Sequence, residues 1–600
     1  MSPNAPVKNF RYPRFAESGY TEWVLQGEKG IYDSEAQIRV EGMALRVYSG
    51  DERMTRELTL ESPEATIRTA ENRAFSKAPI QIAGANFTIS GTGWEWLGES
   101  KEIVVAADTV VTFTQEIDGG LSGRTASEAV KQTVIRSERL VLQTTEKEYR
   151  FEFSGAVRVK SAEMDLASNL LIALADVPEG AEGVAAPDPG KLDSVRQIIA
   201  MEEVQIMQSG RQVRAGEVQF FPREGRATLT KSPEIEVAGA YLSGAVVRSQ
   251  SGVLQIEGSP SEGRAQMILT ETGGLGLQGM SALSEETIVL ANKIRMESVA
   301  AGNRFFFEED VHVMSGAVQL RAAMMTVEAD AEGKAAEAEL AASEESEAGE
   351  LKVGVLRRLM AEGGVSIEQG GQVATGEAVV FYPSEERAVL TGKPRVTNGE
   401  TVVTGSKMEL KPQLAVVSSE GSEKVRVALP VMPDLGYEPN LGSGESAADT
   451  TGEPQLTVVQ SQLLRMIEEP GQTLFRFSDA VEISATNLDV SCERLDVIAS
   501  ESAVAQGAKE PAARLEVERI EAHDRVEIRQ AGRTASAKRA FFLPKEGKVV
   551  LEDEAVVTDA RGQVFGYRMT LLQGQRRAIV EGGQPGQERA RITLPGFSED

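Results

Sequence analysis

Imidazole and thiol chemistry have little to work with in this chain. His312 and His523 are its only histidines and Cys492 its only cysteine among 600 residues. A single cysteine excludes an intramolecular disulfide and a thiolate zinc cluster. His312 lies between Val311 and Val313 and so points away from the face those two share. His523 stands at the lead-in to a strand around Val526, with no second histidine near it. Both imidazoles read as solvated surface groups. Cys492, in Asp489-Val490-Ser491-Cys492, reads as a small strand residue. Two carboxylates could serve a glycosidase or lyase as acid and base. No pair stands out, and Glu344-Glu345-Ser346-Glu347 reads as a solvated face. No G-x-x-x-x-G-K-[ST] loop is present, and Gly363-Gly364 and Gly370-Gly371 bracket a strand as turns. No catalytic residue, metal site or cofactor is expected. The chain does not read as an enzyme.

The patterned residues are apolar instead. Phe151-x-Phe153-x-Gly155-x-Val157-x-Val159 recurs as Phe305-x-Phe307-x-Glu309-x-Val311-x-Val313 and as Phe475-x-Phe477-x-Asp479-x-Val481-x-Ile483. Apolar residues on every second position mark half-buried strands. Parity places the twelve apolar side chains of these motifs on inward faces. Such a face lines a ligand groove or packs an ordinary sandwich core; alternation does not say which.

A stricter repeat lies beside this motif. Val204-Gln205-Ile206, Phe220-Phe221-Pro222, Leu229 and Gly244 match, 161 residues on, Val365-Ser366-Ile367, Phe381-Tyr382-Pro383, Leu390 and Gly405. Another 161 residues on stand Val526-Glu527-Ile528, Phe542-Leu543-Pro544, Leu551 and Gly566. One offset shared by so many positions is internal duplication. Trp94-Glu95-Trp96 places two of the three tryptophans on one side of a strand, where they close a core more naturally than they stack on a sugar.

Composition narrows the class further. With 63 basic and 91 acidic residues the net charge is −28, which disfavours nucleic acid as a partner. At 41% hydrophobic residues the chain can bury a large core. No stretch approaches the ~20 apolar residues of a membrane span. The opening MSPNAPVKNFRYPRF has no apolar signal region, so the chain as given is cytoplasmic or has lost a targeting segment. Helical signals are weak. The Ala/Glu-rich stretch 329–351 and the segments 177–191 and 429–454 read as linkers, and short strands fill most of the rest. The chain is expected to be all-β and modular.

At this point the sequence resembles the LptA/LptC-type, or OstA-like, periplasmic lipopolysaccharide-transport family. Residues 10–117 are similar to an LptC-type module, through Gly19-Tyr20-Thr21-Glu22-Trp23-Val24-Leu25-Gln26-Gly27 and the closing segment from Ser90 to Phe113. Residues 132–582 are similar to LptA-type modules in tandem. Phe153-Ser154-Gly155-Ala156-Val157-Arg158-Val159 carries that likeness, as does the run from Ala374 to Tyr382 followed by Ala388-Val389-Leu390. The family's motif glycine is Glu309 or Asp479 in later copies, and Gly376 becomes Ala537. The LptC-type membrane helix has no counterpart here.

The resemblance implies tandem twisted open β-jellyroll modules in an elongated array. These would be an LptC-like module over 1–118, LptA-like modules over 119–259, 260–428 and 455–600, and an acidic linker over 429–454. It implies a periplasmic bridge that shields acyl chains of lipopolysaccharide, or a related acylated glycolipid, in an apolar groove. Phe151, Phe153, Val157, Val159, Phe305, Phe307, Val311, Val313, Phe475, Phe477, Val481 and Ile483 would line it. An inner-membrane transporter would dock at the N-terminal sheet edge and an outer-membrane translocon at the C-terminal edge. The alternatives are a structural or adhesive β-repeat with a closed core, and a carbohydrate-active enzyme on a β-scaffold. Four modules of about eight strand spacings each, at ~4.8 Å, would span ~150 Å. Small-angle scattering should therefore give a radius of gyration well above the ~25 Å of a globule of this length. A compact particle would refute a continuous array.

Overall fold

Alternating apolar and polar residues divided by glycine turns pair most simply with their sequence neighbours. The computed structural model of the chain is built this way. It describes residues 6–34, 36–84, 86–114, 132–145, 148–161, 164–176, 195–208, 211–237, 240–250, 252–269, 286–299, 302–330, 355–398, 401–421, 423–430, 456–485, 488–501, 515–530, 532–560, 562–572, 578–583 and 589–593. Among them are antiparallel strands and three single-turn 3-10 helices, but no α-helix. The linker-like stretches of the sequence lie outside the described residues, apart from the ends of strands Val318–Asp330 and Val425–Pro430.

By its contacts the chain divides into two compact units. One comprises Met1–Thr270, Leu290–Glu309 and Ala329–Val355, the other Glu271–Val289, Asp310–Glu328 and Leu356–Asp600. The first unit opens with a meander of long strands from Pro6–Phe15 to Glu102–Phe113, each paired with the next. The tryptophans are buried inside it. Trp23 Nε1 donates to Asn72 Oδ1 and Trp94 Nε1 to Ser62 Oγ, each at 3.2 Å, and Trp23 meets Trp96 edge-on at 6.0 Å. Each of these two indole N–H groups has a buried partner, so these rings close a core.

The 161-residue repeats share one ladder plan. In the first, strand Arg211–Phe221 pairs through Gln212–Arg214 with Glu234–Val237, and through Glu217–Phe221 with Arg226–Thr230. In the second, the strand Gln372–Tyr382 divides likewise between Arg395–Asn398 and Arg387–Thr391. Each such strand thus leaves one ladder and enters another, and the two ladders face each other as the sheets of a jellyroll.

The crossing is made by bulges. Gly155 and Ala156 oppose one residue between Leu170 and Ser168, and both have positive φ, at 80° and 44°. Glu309 and Asp310 adopt the same conformation at 63° and 59°, as do Asp479 and Ala480 at 66° and 53°. The polar break within each Phe-x-Phe motif is therefore a strand corner. The repeats have their own corner at Glu202-Glu203, Gly363-Gly364 and Asp524-Arg525. Gly363-Gly364 is thus a bend inside strand Val355–Gln369, not the turn its sequence suggests, whereas Gly370-Gly371 does join two strands.

Two further repeat positions have local causes. A Cβ on Gly244, Gly405 or Gly566 would meet a neighbouring strand's carbonyl oxygen at 2.9, 3.1 and 3.3 Å respectively, and a valine or isoleucine methyl closer still. Only glycine fits there without displacement. The prolines of the Phe-x-Pro repeats start 3-10 turns capped by Gly225, Glu386 and Gly547, all left-handed. Glu386 is exposed and sits at φ 46° where its counterparts are glycine. Glu386→Gly should therefore stabilise the second unit by about 0.5–1 kcal/mol, a rise in melting temperature that calorimetry can detect.

Val204, Val365 and Val526 occupy one register position and are all buried. They face Ala215, Gly376 and Ala537 across the ladder. Val365→Asp should cost ~3 kcal/mol or more, since the buried carboxylate would have no partner. Urea unfolding should show this, with Val204→Asp and Val526→Asp behaving alike.

Candidate functional site

The motif residues face inward. Phe151, Phe153, Val157, Val159, Phe305, Phe307, Val311, Val313, Phe477, Val481 and Ile483 are buried, and Phe475 is half-buried. Both halves of each motif face inward because the corner carries the strand from one sheet to the other. Phe151 lies parallel to Phe153 at 6.3 Å and edge-on to Phe87 and Phe113 at 4.9 and 5.2 Å. Protein side chains fill the space around these two rings. Phe475 instead opens onto a cavity.

That cavity has a volume of about 490 Å³, and a second of about 370 Å³ lies elsewhere in the same unit. Ile367, Ala374, Val396, Val403, Met408 and Leu410 line the larger. Ile528, Ala535, Val557, Val564, Met569 and Leu571 line the smaller, each 161 residues on from its counterpart. The two cavities are therefore one site, built twice. Ala374, Val396 and Val403 belong to one ladder and Met408 and Leu410 to the other, so the larger cavity lies between facing sheets.

Each cavity is apolar along its length and polar at one end. Gln369, Gln372 and Asn398 stand at the first, and Gln530, Arg533 and Asp559 at the second, where Arg533 Nε lies 3.8 Å from an Asp559 oxygen. Both volumes fall within the range of small-molecule pockets. Such a shape suits an amphiphile: an apolar tail between the sheets and a polar group at the hairpin end.

Of the twelve motif residues expected to line a groove, Phe475 lines the larger of these two cavities. The principal lining residues lie inside the 161-residue repeat itself. Their signal is a difference between copies, which a search for similarity passes over.

The few reactive groups are placed without convergence. Cys492 is buried opposite Val481, and burial pushes its thiol up to about 12. It is a packing residue. His523 is half-buried rather than solvated, with Nε2 3.3 Å from a Glu521 oxygen and its ring edge-on to Phe541. His312 is likewise half-buried between its buried neighbours. Among the described residues no group of three metal-ligating side chains converges, and no helix is long and apolar enough to cross a membrane.

Comparisons with known proteins divide along the chain. Residues 1–109 match the family model described as lipopolysaccharide-assembly, LptC-related. Residues 289–415 match the model described as LptA/(LptD N-terminal domain) LPS transport protein. A solved structure, LptH, the LptA homologous periplasmic component of the lipopolysaccharide transport device from Pseudomonas aeruginosa, matches at 12% identity. The match covers 24% of this chain and 92% of that one, with a TM-score of 0.16. No curated protein matches.

Proposed function

We propose, for a chain that belongs to the LptA/LptC-type family of lipopolysaccharide-transport proteins, that it is a periplasmic bridge shielding lipid acyl chains between its sheets. The observation that carries this reading is the duplicated apolar cavity, open between facing sheets at equivalent positions of two repeats. Acyl chains need apolar surface and exclusion of water, and a sandwich held apart by short side chains offers both. The reading requires no bond to be made or broken. Ala374, Val396 and Val403, with their counterparts Ala535, Val557 and Val564, line the gap in which the tail lies, and Phe475 meets it directly.

Free sheet edges support the placement of partners. Among the described residues Pro6–Phe15 pairs only with Thr21–Ser34, and it exposes Tyr12 and Phe15. At the other terminus Ala578–Glu581 and Arg591–Thr593 each pair only with Gly562–Leu572, and they expose Ile579 and Ile592. Unpaired edges with apolar side chains accept a further strand. An inner-membrane transporter component would add to the edge near residues 10–30, and an outer-membrane translocon near residues 560–582. Transport then runs from the first to the second.

Photo-crosslinkers test the shielding. Placed at Val403, Phe475 and Val564 in cells that export lipopolysaccharide, they should capture that lipid. At the exposed Arg158 and Arg426 they should not. Equal labelling of the two sets would refute an interior lipid path.

A further inference from the structure

The three repeats are not equivalent, and the difference lies at seven inward positions, at five of which the side chain shortens. Ladder register sets the correspondence. Val213 pairs with Ile235 and Ile235 with Leu242; Ala374 with Val396 and Val396 with Val403; Ala535 with Val557 and Val557 with Val564. On the facing ladder, Leu254 and Ile256 lie opposite Ser249 and Val247. Ala415 and Val417 lie opposite Leu410 and Met408, and Ala578 and Val580 opposite Leu571 and Met569.

The first repeat thus carries Val, Ile, Leu, Leu and Ile at those five positions, while the second and third both carry Ala, Val, Val, Ala and Val. Every change shortens the side chain by one to three carbons. Two positions change the other way, Val247 to Met408 and Met569, and Ser249 to Leu410 and Leu571. These make the wall more apolar and, through methionine, more adaptable. The consequence is visible in the burial. Val213, Ile235, Leu242, Leu254 and Ile256 are all buried, whereas Ala374, Val396 and Val403 are half-buried against open space. The aromatic neighbours follow the same rule. Phe305, opposite Met296, which pairs with Leu254, is buried, whereas Phe475, opposite Met466, which pairs with Ala415, opens onto the cavity.

We infer that the chain has two acyl-chain sites, in the second and third repeats, and that the first repeat is filled by its own side chains and takes none. The inference rests on the lipid reading above and adds to it a stoichiometry and the residues that set it. A fully packed core leaves no room for a chain of methylenes. Small side chains repeated at the same five positions leave a slot twice.

Equilibrium dialysis of the full chain against radiolabelled dodecanoate counts the sites. Two saturable sites are expected. Ala374→Val, Val396→Ile, Val403→Leu, Ala415→Leu and Val417→Ile together transplant the first repeat's filling into the second, and should reduce the count from two to one. Ala415→Leu alone is the milder form, and should weaken one of the two sites at least ten-fold while the melting temperature holds. Three sites in the parent chain, or two undiminished sites in the filled variant, would overturn the inference and leave the lipid reading standing. No saturable binding at all would instead refute the lipid reading itself.

Discussion

A strand that belongs to two sheets has to turn a corner, and the rest of this fold depends on that turn. The corner places two successive residues in left-handed backbone opposite a single residue of the partner strand. Glycine takes this conformation freely; for other residues it costs roughly 1–2 kcal/mol each. Glu202, Glu203, Glu309, Asp310, Asp479, Asp524 and Arg525 accept it nonetheless. The ladders on either side of each corner outweigh the cost. The motif strand keeps one parity across the corner, so Phe153 and Val157 on either side of Gly155-Ala156 are both inside, while the partner strand shifts its inward parity there, from Leu171 to Ser168.

Once the corners have set two sheets face to face, side-chain volume decides what lies between them. The backbone plan is the same in each repeat, down to the proline turn and the glycine lodged against a neighbouring carbonyl. Where the inward residues are long, as at Leu254 and Ile256, they meet in the middle and make a core. Where they are alanine and valine, the sheets stay apart over an apolar gap of a few hundred Å³. Such a gap has an energetic cost, because cavity-lining atoms lack the dispersion contacts of a packed interior. A repeat that keeps this defect twice, with identical residues, differs from a repeat that merely lost packing.

Much of this was legible beforehand, for a physical reason. Alternation with period two follows directly from pleating, so the strands, their inward parity and the all-β class could be read from single segments. The 161-residue offset gave the duplication, and the order of motifs gave the family. The corners were not legible as corners, because Glu309-Asp310 and Asp524-Arg525 carry none of the glycine that usually announces a left-handed turn. The cavities were hidden for the opposite reason. Val213 against Ala374, or Leu254 against Ala415, is an apolar-for-apolar exchange that pattern reading treats as identity. His523 is half-buried because it shares a strand face with Glu521, two residues away, and packs edge-on against Phe541 of the neighbouring strand.

Charge does its work on the outside. Exposed pairs such as Arg226–Glu224, Arg387–Glu385 and Lys548–Glu546 recur at the same turn in each repeat. Pairs of this kind contribute little to stability, about 0–1 kcal/mol each. A net charge of −28 nevertheless has a consequence for a protein built from strand edges. Like charges repel copies of the chain and oppose edge-to-edge aggregation, which an uncharged β-array of this length would invite. The cavities, by contrast, are lined mainly by apolar side chains, with few charged groups among them: Arg533, Asp559 and Lys548 in the smaller and Glu468 in the larger. Selection of an interior ligand therefore falls to the length and breadth of the apolar gap, and that is fixed by five side chains per repeat.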